Sequence, residues 1–155
     1  MNALRRNVLK GAAGASTVAM AVAVGLLKPT QAMAAWNTAA FEAKNVGDAM
    51  KGLGVSGPAD SKDIIIKAPD IAENGAVVPV EVTSNIAGTT SIAIIAEKNG
   101  TPLVGSFSMS GGAQPFISTR IKMGQTSLVR AVVQAGGKSY TAAKEVKVTI
   151  GGCGG

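Results

Sequence analysis

From residue 62 onward the apolar residues recur at every second position, and this period limits the chain to a β-rich fold. In "VVPVEVTS" (77–84), Val78, Val80 and Val82 fall on one side while Pro79, Glu81 and Thr83 fall on the other. Successive side chains of a strand point to opposite faces, so such alternation marks a strand with one face in a core. "PFISTRIK" (115–122) sets Ile117, Thr119 and Ile121 against Ser118, Arg120 and Lys122, and near the end Val146, Val148 and Ile150 alternate with Lys147 and Thr149. "IIIKA" (64–68) reads as a short buried strand, and "AENG" (72–75) as a turn. "SIAIIAEK" (91–98) and "PLVGSFSM" (102–109) flank Asn99-Gly100, and "SLVRAVVQ" (127–134) and "KSYTAAKEVKVTI" (138–150) flank Gly136-Gly137. Both pairs read as hairpin turns, since the favoured two-residue turn needs positive φ at both central positions. Pro79 has no N–H to give to a ladder, so its strand is at an edge or has that side free. About seven short strands with turn signals every 8–12 residues predict a mainly β fold, an immunoglobulin-like antiparallel β-sandwich. The cysteine–tryptophan–cysteine core of antibody domains is missing, and Trp36 lies outside the strand region.

Before the strands, residues 36–53 have helical spacing. Val46, Ala49, Met50 and Leu53 form one apolar stripe, Thr38 is a candidate N-cap, and Glu42 suits the early turns. Gly52 and Gly54 help to end this short N-terminal helix, which is expected to pack on the edge of a sheet.

The first 34 residues read differently. Arg5-Arg6 in "LRRNVLK" precedes an apolar run from Gly11 to Leu27, and Ala32-Met33-Ala34 gives a small-x-small cleavage pattern. A paired arginine ahead of an Ala-rich run is the mark of the twin-arginine (Tat) route. The run spans 17 residues, short of the ~20 that a membrane-spanning helix needs. The chain therefore divides into a cleaved signal (1–34), a helix plus β-sandwich (35–150) and a terminal arm (151–155). Cleavage removes Arg5, Arg6, Lys10 and Lys28, which leaves 11 basic against 9 acidic residues, or +2 in place of +6. The high formal charge belongs to the signal. Clustered basic residues with interleaved aromatics are missing as well, so nucleic acid is set aside as a partner.

The sequence has no histidine and a single cysteine, Cys153. A Ser-His-Asp triad, a Cys-His dyad and a histidine metal site are thereby excluded, and one chain cannot supply two thiolates to zinc. No metal or cofactor site is expected. Asp60 with Asp63, and Glu42 with Asp48, are spread through turns and helix surface, where carboxylates are usually just solvated. "GSFSMSGG" (105–112) lacks the G-x-S-x-G elbow. The chain does not read as an enzyme acting alone.

One feature remains, the terminal "GGCGG". Cys153 sits among Gly151, Gly152, Gly154 and Gly155. Glycine loses more backbone freedom on ordering than any other residue, so this segment reads as a slim, flexible linker. It would hold a thiol ~10 Å beyond the last strand at ~3.4 Å per residue. An unpaired cysteine in an exported protein is open to oxidation. Its placement on a slim arm therefore points to chemistry or to intermolecular pairing. A thin arm whose only reactive group is a thiol suits a carrier, with activation supplied by the enzymes to which it is presented.

The "GGCGG" tail, the "RRNVLK" leader and "ENGAVVPVEV" (73–82) together resemble the SoxY family, sulfur-carrier subunits of the periplasmic thiosulfate-oxidising (Sox) system. The likeness runs over the whole chain. It implies an immunoglobulin-like fold, a periplasmic location and pairing with SoxZ, a second β-domain that usually lacks its own signal. It also implies that Cys153 is the covalent attachment site and that the four flanking glycines form the arm. SoxAX, a haem c enzyme, would couple thiosulfate oxidatively to Cys153. SoxB, a metal-dependent hydrolase, would release sulfate, and SoxCD, where present, would oxidise the sulfane sulfur left behind. The carrier itself would hold no cofactor beyond its sulfur intermediates. Two other classes fit parts of the pattern. A structural or adhesive β-sandwich would use Cys153 only for an interchain disulfide. A ubiquitin-like carrier would hold sulfur as a C-terminal thiocarboxylate, but it needs ATP activation in the cytoplasm. Strand edges such as 77–83 and the N-terminal helix are equal candidates for the partner-binding face.

Overall fold

The alternating valines and isoleucines form the interleaf of two sheets. The computed structural model describes residues 37–110 and 112–149. Two short helices come first, α1 (Thr38–Phe41) and α2 (Val46–Gly52). Nine strands follow among the described residues: β1 (Ala59–Asp60), β2 (Ile64–Lys67), β3 (Ile71–Ala72), β4 (Val78–Ser84), β5 (Thr89–Ala96), β6 (Leu103–Ser108), β7 (Phe116–Ile121), β8 (Ser127–Ala135) and β9 (Lys138–Val148). The larger sheet runs β1-β9-β8-β5-β6, with β3 also on β9; the smaller runs β2-β4-β7.

Val78, Val80 and Val82 of the small sheet are fully buried, in one apolar cluster with Ile92, Ile94, Val129, Ala131, Val133 and Val146 of the large one. The two sheets pack face to face, as the period of two predicts. Strand β5 is buried from Ile92 to Ala96 on both faces. Ile92, Ile94 and Ala96 look into the sandwich, while Ala93 and Ile95 lie under the helices with Leu103 and Val132. The helices thus cover the face of the large sheet, not its edge as the sequence suggested.

The helical segment is also broken. Asn37, not Thr38, caps α1, its Oδ1 accepting from the Ala40 N–H at 3.1 Å. Asn45 caps α2 in the same way, accepting from the Asp48 N–H at 2.9 Å. Asparagine competes with the backbone for such bonds and favours caps over helix interiors. A second cap at Asn45 splits one predicted helix into two.

The turn between β8 and β9 is as expected, with Gly136 and Gly137 at φ +55° and +74° and Ala135 paired to Lys138. The turn at Asn99-Gly100 is not, since neither residue has positive φ. Residues 97–102 form a longer connection. There the Asn99 amide donates to the Lys122 carbonyl at 2.7 Å and accepts from the Gly124 N–H at 3.1 Å, bridging two loops. Strand β2 is less buried than predicted, because it is an edge strand with Ile65 43% exposed. Strand β4 is central in its sheet, yet Pro79 meets no conflict. The Ser84 N–H donates to the Pro115 carbonyl on the β7 side, so the odd-numbered backbone positions of β4 are directed at β2, and β2 pairing stops at Glu81. The long ladders are antiparallel as predicted, but β1 and β3 add two short parallel pairings to the outer edge of β9.

One end of the sandwich is closed by loops. Met123 donates its N–H to the Gly75 carbonyl at 2.7 Å, and a Cβ on Gly75 would meet the Met123 carbonyl and lie 2.8 Å from Val148 Cγ1. Glycine is required there by close approach, not by φ.

Two stability tests follow from this packing. Val80→Ala should cost about 2 kcal/mol, while Ser118→Ala on the outward face should stay within ~0.5 kcal/mol, both read by urea unfolding. Gly75→Ala should cost about 1–3 kcal/mol by overpacking against a carbonyl that cannot turn away. A neutral Gly75→Ala would mean the loops are looser than described.

Candidate functional site

The glycine and cysteine residues singled out in the sequence, Gly151, Gly152, Cys153, Gly154 and Gly155, lie outside the described residues, as do the leader and Ile150. The structure describes the root from which they continue. Strand β9 stays paired on both sides, and its bonds extend to Thr149. On one side the Lys147 N–H donates to the Asp70 carbonyl at 3.0 Å and the Thr149 N–H donates to the Ala72 carbonyl at 3.2 Å. The Thr149 hydroxyl adds a bond to the Glu73 carbonyl at 3.1 Å. On the other side Thr126 Oγ1 accepts from the Val148 N–H at 2.9 Å. The chain is thus held on two edges four residues before Cys153.

A salt bridge steadies the outer edge of β9. Lys144 Nζ lies 3.0 Å from Asp70 Oδ1 and donates to the Ala68 carbonyl at 2.6 Å, which ties the β2–β3 connection to the strand. Asp70 is largely exposed, so the pair contributes little by charge alone. Its value is positional, since the same Asp70 carbonyl accepts from Lys147. On the outer face of the large sheet Arg130 Nε donates to Glu97 Oε1 at 2.7 Å.

Loops from three connections gather at the root. Gly75 meets Met123, Asn99 joins Lys122 and Gly124, and Gln125 Nε2 donates to the Lys98 carbonyl at 3.3 Å. The sequence reading missed these residues. "ENG" was visible as a turn, but its role in holding Thr149 depends on a partner 76 positions away in the chain. No local period carries such information.

The carboxylates considered from sequence do not assemble. Among the described residues no group of three or more His, Cys, Asp or Glu could hold a metal ion. Asp60 and Asp63 are exposed, and Asp48 accepts from Asn45 Nδ2 at 2.7 Å. A pocket of about 170 Å³ lies between the helices and the large sheet, with Ser91, Ser106, Ser108 and Gln134 in its wall. Two of these groups are bonded within the fold: Ser91 Oγ donates to Gln134 Oε1 at 3.1 Å and Gln134 Nε2 donates to the Leu53 carbonyl at 3.0 Å. Gln134 lies near the end of β8 far from Thr126. Among the described residues no helix is long and apolar enough to cross a membrane.

Comparison with known proteins gives four findings. No curated protein matches the chain. Among solved structures, the sulfur carrier protein SoxY from Chlorobium limicola f thiosulfatophilum is 47% identical, with a TM-score of 0.62, over 68% of this chain and 97% of that one. A superoxide reductase (neelaredoxin) from Ignicoccus hospitalis is 18% identical, with a TM-score of 0.49 over 56% of this chain and 79% of that one, too distant to bear on fold or function. The family model for the sulfur oxidation protein SoxY matches residues 50–153, a stretch that takes in both sheets, the root at Thr149 and Cys153. On that match this chain belongs to the SoxY family.

Proposed function

We propose that this chain is a periplasmic carrier that holds sulfur intermediates covalently on Cys153 and presents them to partner enzymes during thiosulfate oxidation. The observation that carries the reading is the family match through Cys153, joined to a strand end that is fixed at Thr149. The solved relative is itself a sulfur carrier protein.

The chemistry needs little from the carrier beyond a thiol and a thin approach. In loading, the Cys153 sulfur bonds to the outer sulfur of thiosulfate to give Cys–S–S–SO₃⁻. The thiol proton leaves, and an electron pair passes to a haem c enzyme of the SoxAX kind. In hydrolysis, a SoxB-type enzyme adds water at the terminal sulfur. The S–S bond to the sulfonate breaks, sulfate and two protons depart, and Cys–S–S⁻ stays on the chain. A SoxCD-type enzyme, where present, oxidises that remaining sulfane sulfur. Gly151, Gly152, Gly154 and Gly155 carry no side chains, so a narrow channel can admit them with the cysteine. Export of the folded chain by the Tat route, directed by Arg5 and Arg6, would carry along a SoxZ-like partner that lacks a signal.

Cys153→Ser should fold and pair as the wild type does and lose all thiosulfate-dependent turnover with the partner enzymes; normal turnover would defeat the proposal. Gly152→Val combined with Gly154→Val should leave the thiol titratable by a small reagent while slowing loading or hydrolysis at least about tenfold, through exclusion of branched side chains from a narrow channel. Equal rates in that variant would show that slimness has no role.

A further inference from the structure

We infer that the surface around Thr149 is the docking rim for the enzymes that act on Cys153, and that their channel mouths present an apolar centre with acidic surroundings. The inference rests on the carrier reading above. Its starting point is reach. Four residues separate Thr149 from Cys153, and a fully extended chain spans at most ~14 Å over that distance. An enzyme whose reacting group lies below its own surface must therefore bring its channel mouth almost onto Thr149. Whatever the chain exposes around that residue is what the mouth meets.

Two exposed apolar side chains stand there. Ile71 is 59% exposed and Val77 is 52% exposed, the two largest such values among the described large hydrophobic residues. They bracket residues 72–76, the segment whose Ala72 and Glu73 carbonyls hold Thr149. Single exposed apolar residues are ordinary on a surface. A pair placed on either side of the anchor of a reactive segment is suited to a small contact formed and released repeatedly, at the low end of interface size.

The exposed charges at this end of the sandwich are positive on balance. The loops bonded to this end carry Lys98 and Lys122, and Lys147 lies beside Ile71 in the β3–β9 ladder. The described ion pairs, Arg130–Glu97 and Lys144–Asp70, use none of these lysines. Glu97 is occupied by Arg130, which leaves Glu73 on the loops and Glu145, on the same outward face of β9 as Lys147, as acids outside the described ion pairs, against three lysines. An acidic mouth would be steered onto such a surface, with a salt-sensitive encounter rate.

The test uses the full chain with its partner subunit and the purified thiosulfate-oxidising enzymes of the same organism, with thiosulfate as donor. KM and kcat are measured with the carrier as varied substrate. Ile71→Glu and Val77→Glu should each raise KM about tenfold and leave kcat within about twofold, since the contact is lost while the chemistry is not. Lys98→Gln with Lys122→Gln should raise KM and weaken its dependence on ionic strength, which keeps the idea testable if an apolar variant misfolds. Lys138→Glu, at the Gly136-Gly137 turn on the opposite end, should change nothing. A small thiol reagent should react with Cys153 at one rate in all variants. Wild-type turnover with unchanged KM in the Ile71, Val77 and lysine variants overturns the rim. So does an equal effect from Lys138→Glu. A wild-type chain that accepts no sulfur defeats the carrier reading itself, and the rim with it.

Discussion

The packing of Val78, Val80 and Val82 against Ile92, Ile94, Val129 and Val133 is the interaction on which the rest of the structure depends. It fixes the register of both sheets, because a one-residue slip in any of these strands would turn its apolar set to solvent. With register fixed, the loops at each end have defined neighbours. One end closes with the glycine turn at Gly136-Gly137. The other gathers Gly75, Asn99, Met123 and Thr126 around the end of β9.

That second end explains how a β-sandwich without an assembled catalytic cluster among its described residues can serve a chemical process. The sandwich supplies a fixed point. Strand β9 is held from both edges, with bonds as far as Thr149, and Gly75 has no side chain that would push Met123 away from Val148. Hydrogen bonds of this kind contribute only about 1 kcal/mol each to stability. Their larger effect is to set where the following residues begin. Whatever continues from Thr149 therefore starts at one end of the sandwich.

Much of this was legible in the sequence where the information is local. The period of two marked seven of the nine strands; the other two, Ala59–Asp60 and Ile71–Ala72, are two residues long and too short to show a period. Gly136-Gly137 signalled its turn because positive φ is a property of the residue itself. Asn99-Gly100 carried the same local signal and misled, because the Asn99 amide found partners at Lys122 and Gly124 that no local rule anticipates. The helical segment was placed correctly but read as one element, since its apolar stripe was stronger than the cap at Asn45. Cys153 was conspicuous as the lone thiol among glycines. The residues that fix its root were not, because Thr126 and Glu73 acquire that role only when β9 returns past them.

The most direct test of the account is intact mass spectrometry of the chain, isolated from cells grown with and without thiosulfate and then treated with a thiol reductant. The account predicts thiosulfate-dependent sulfur adducts that map to Cys153 and leave on reduction, their masses identifying the cargo. An unmodified chain, or a plain disulfide dimer under both conditions, would contradict it.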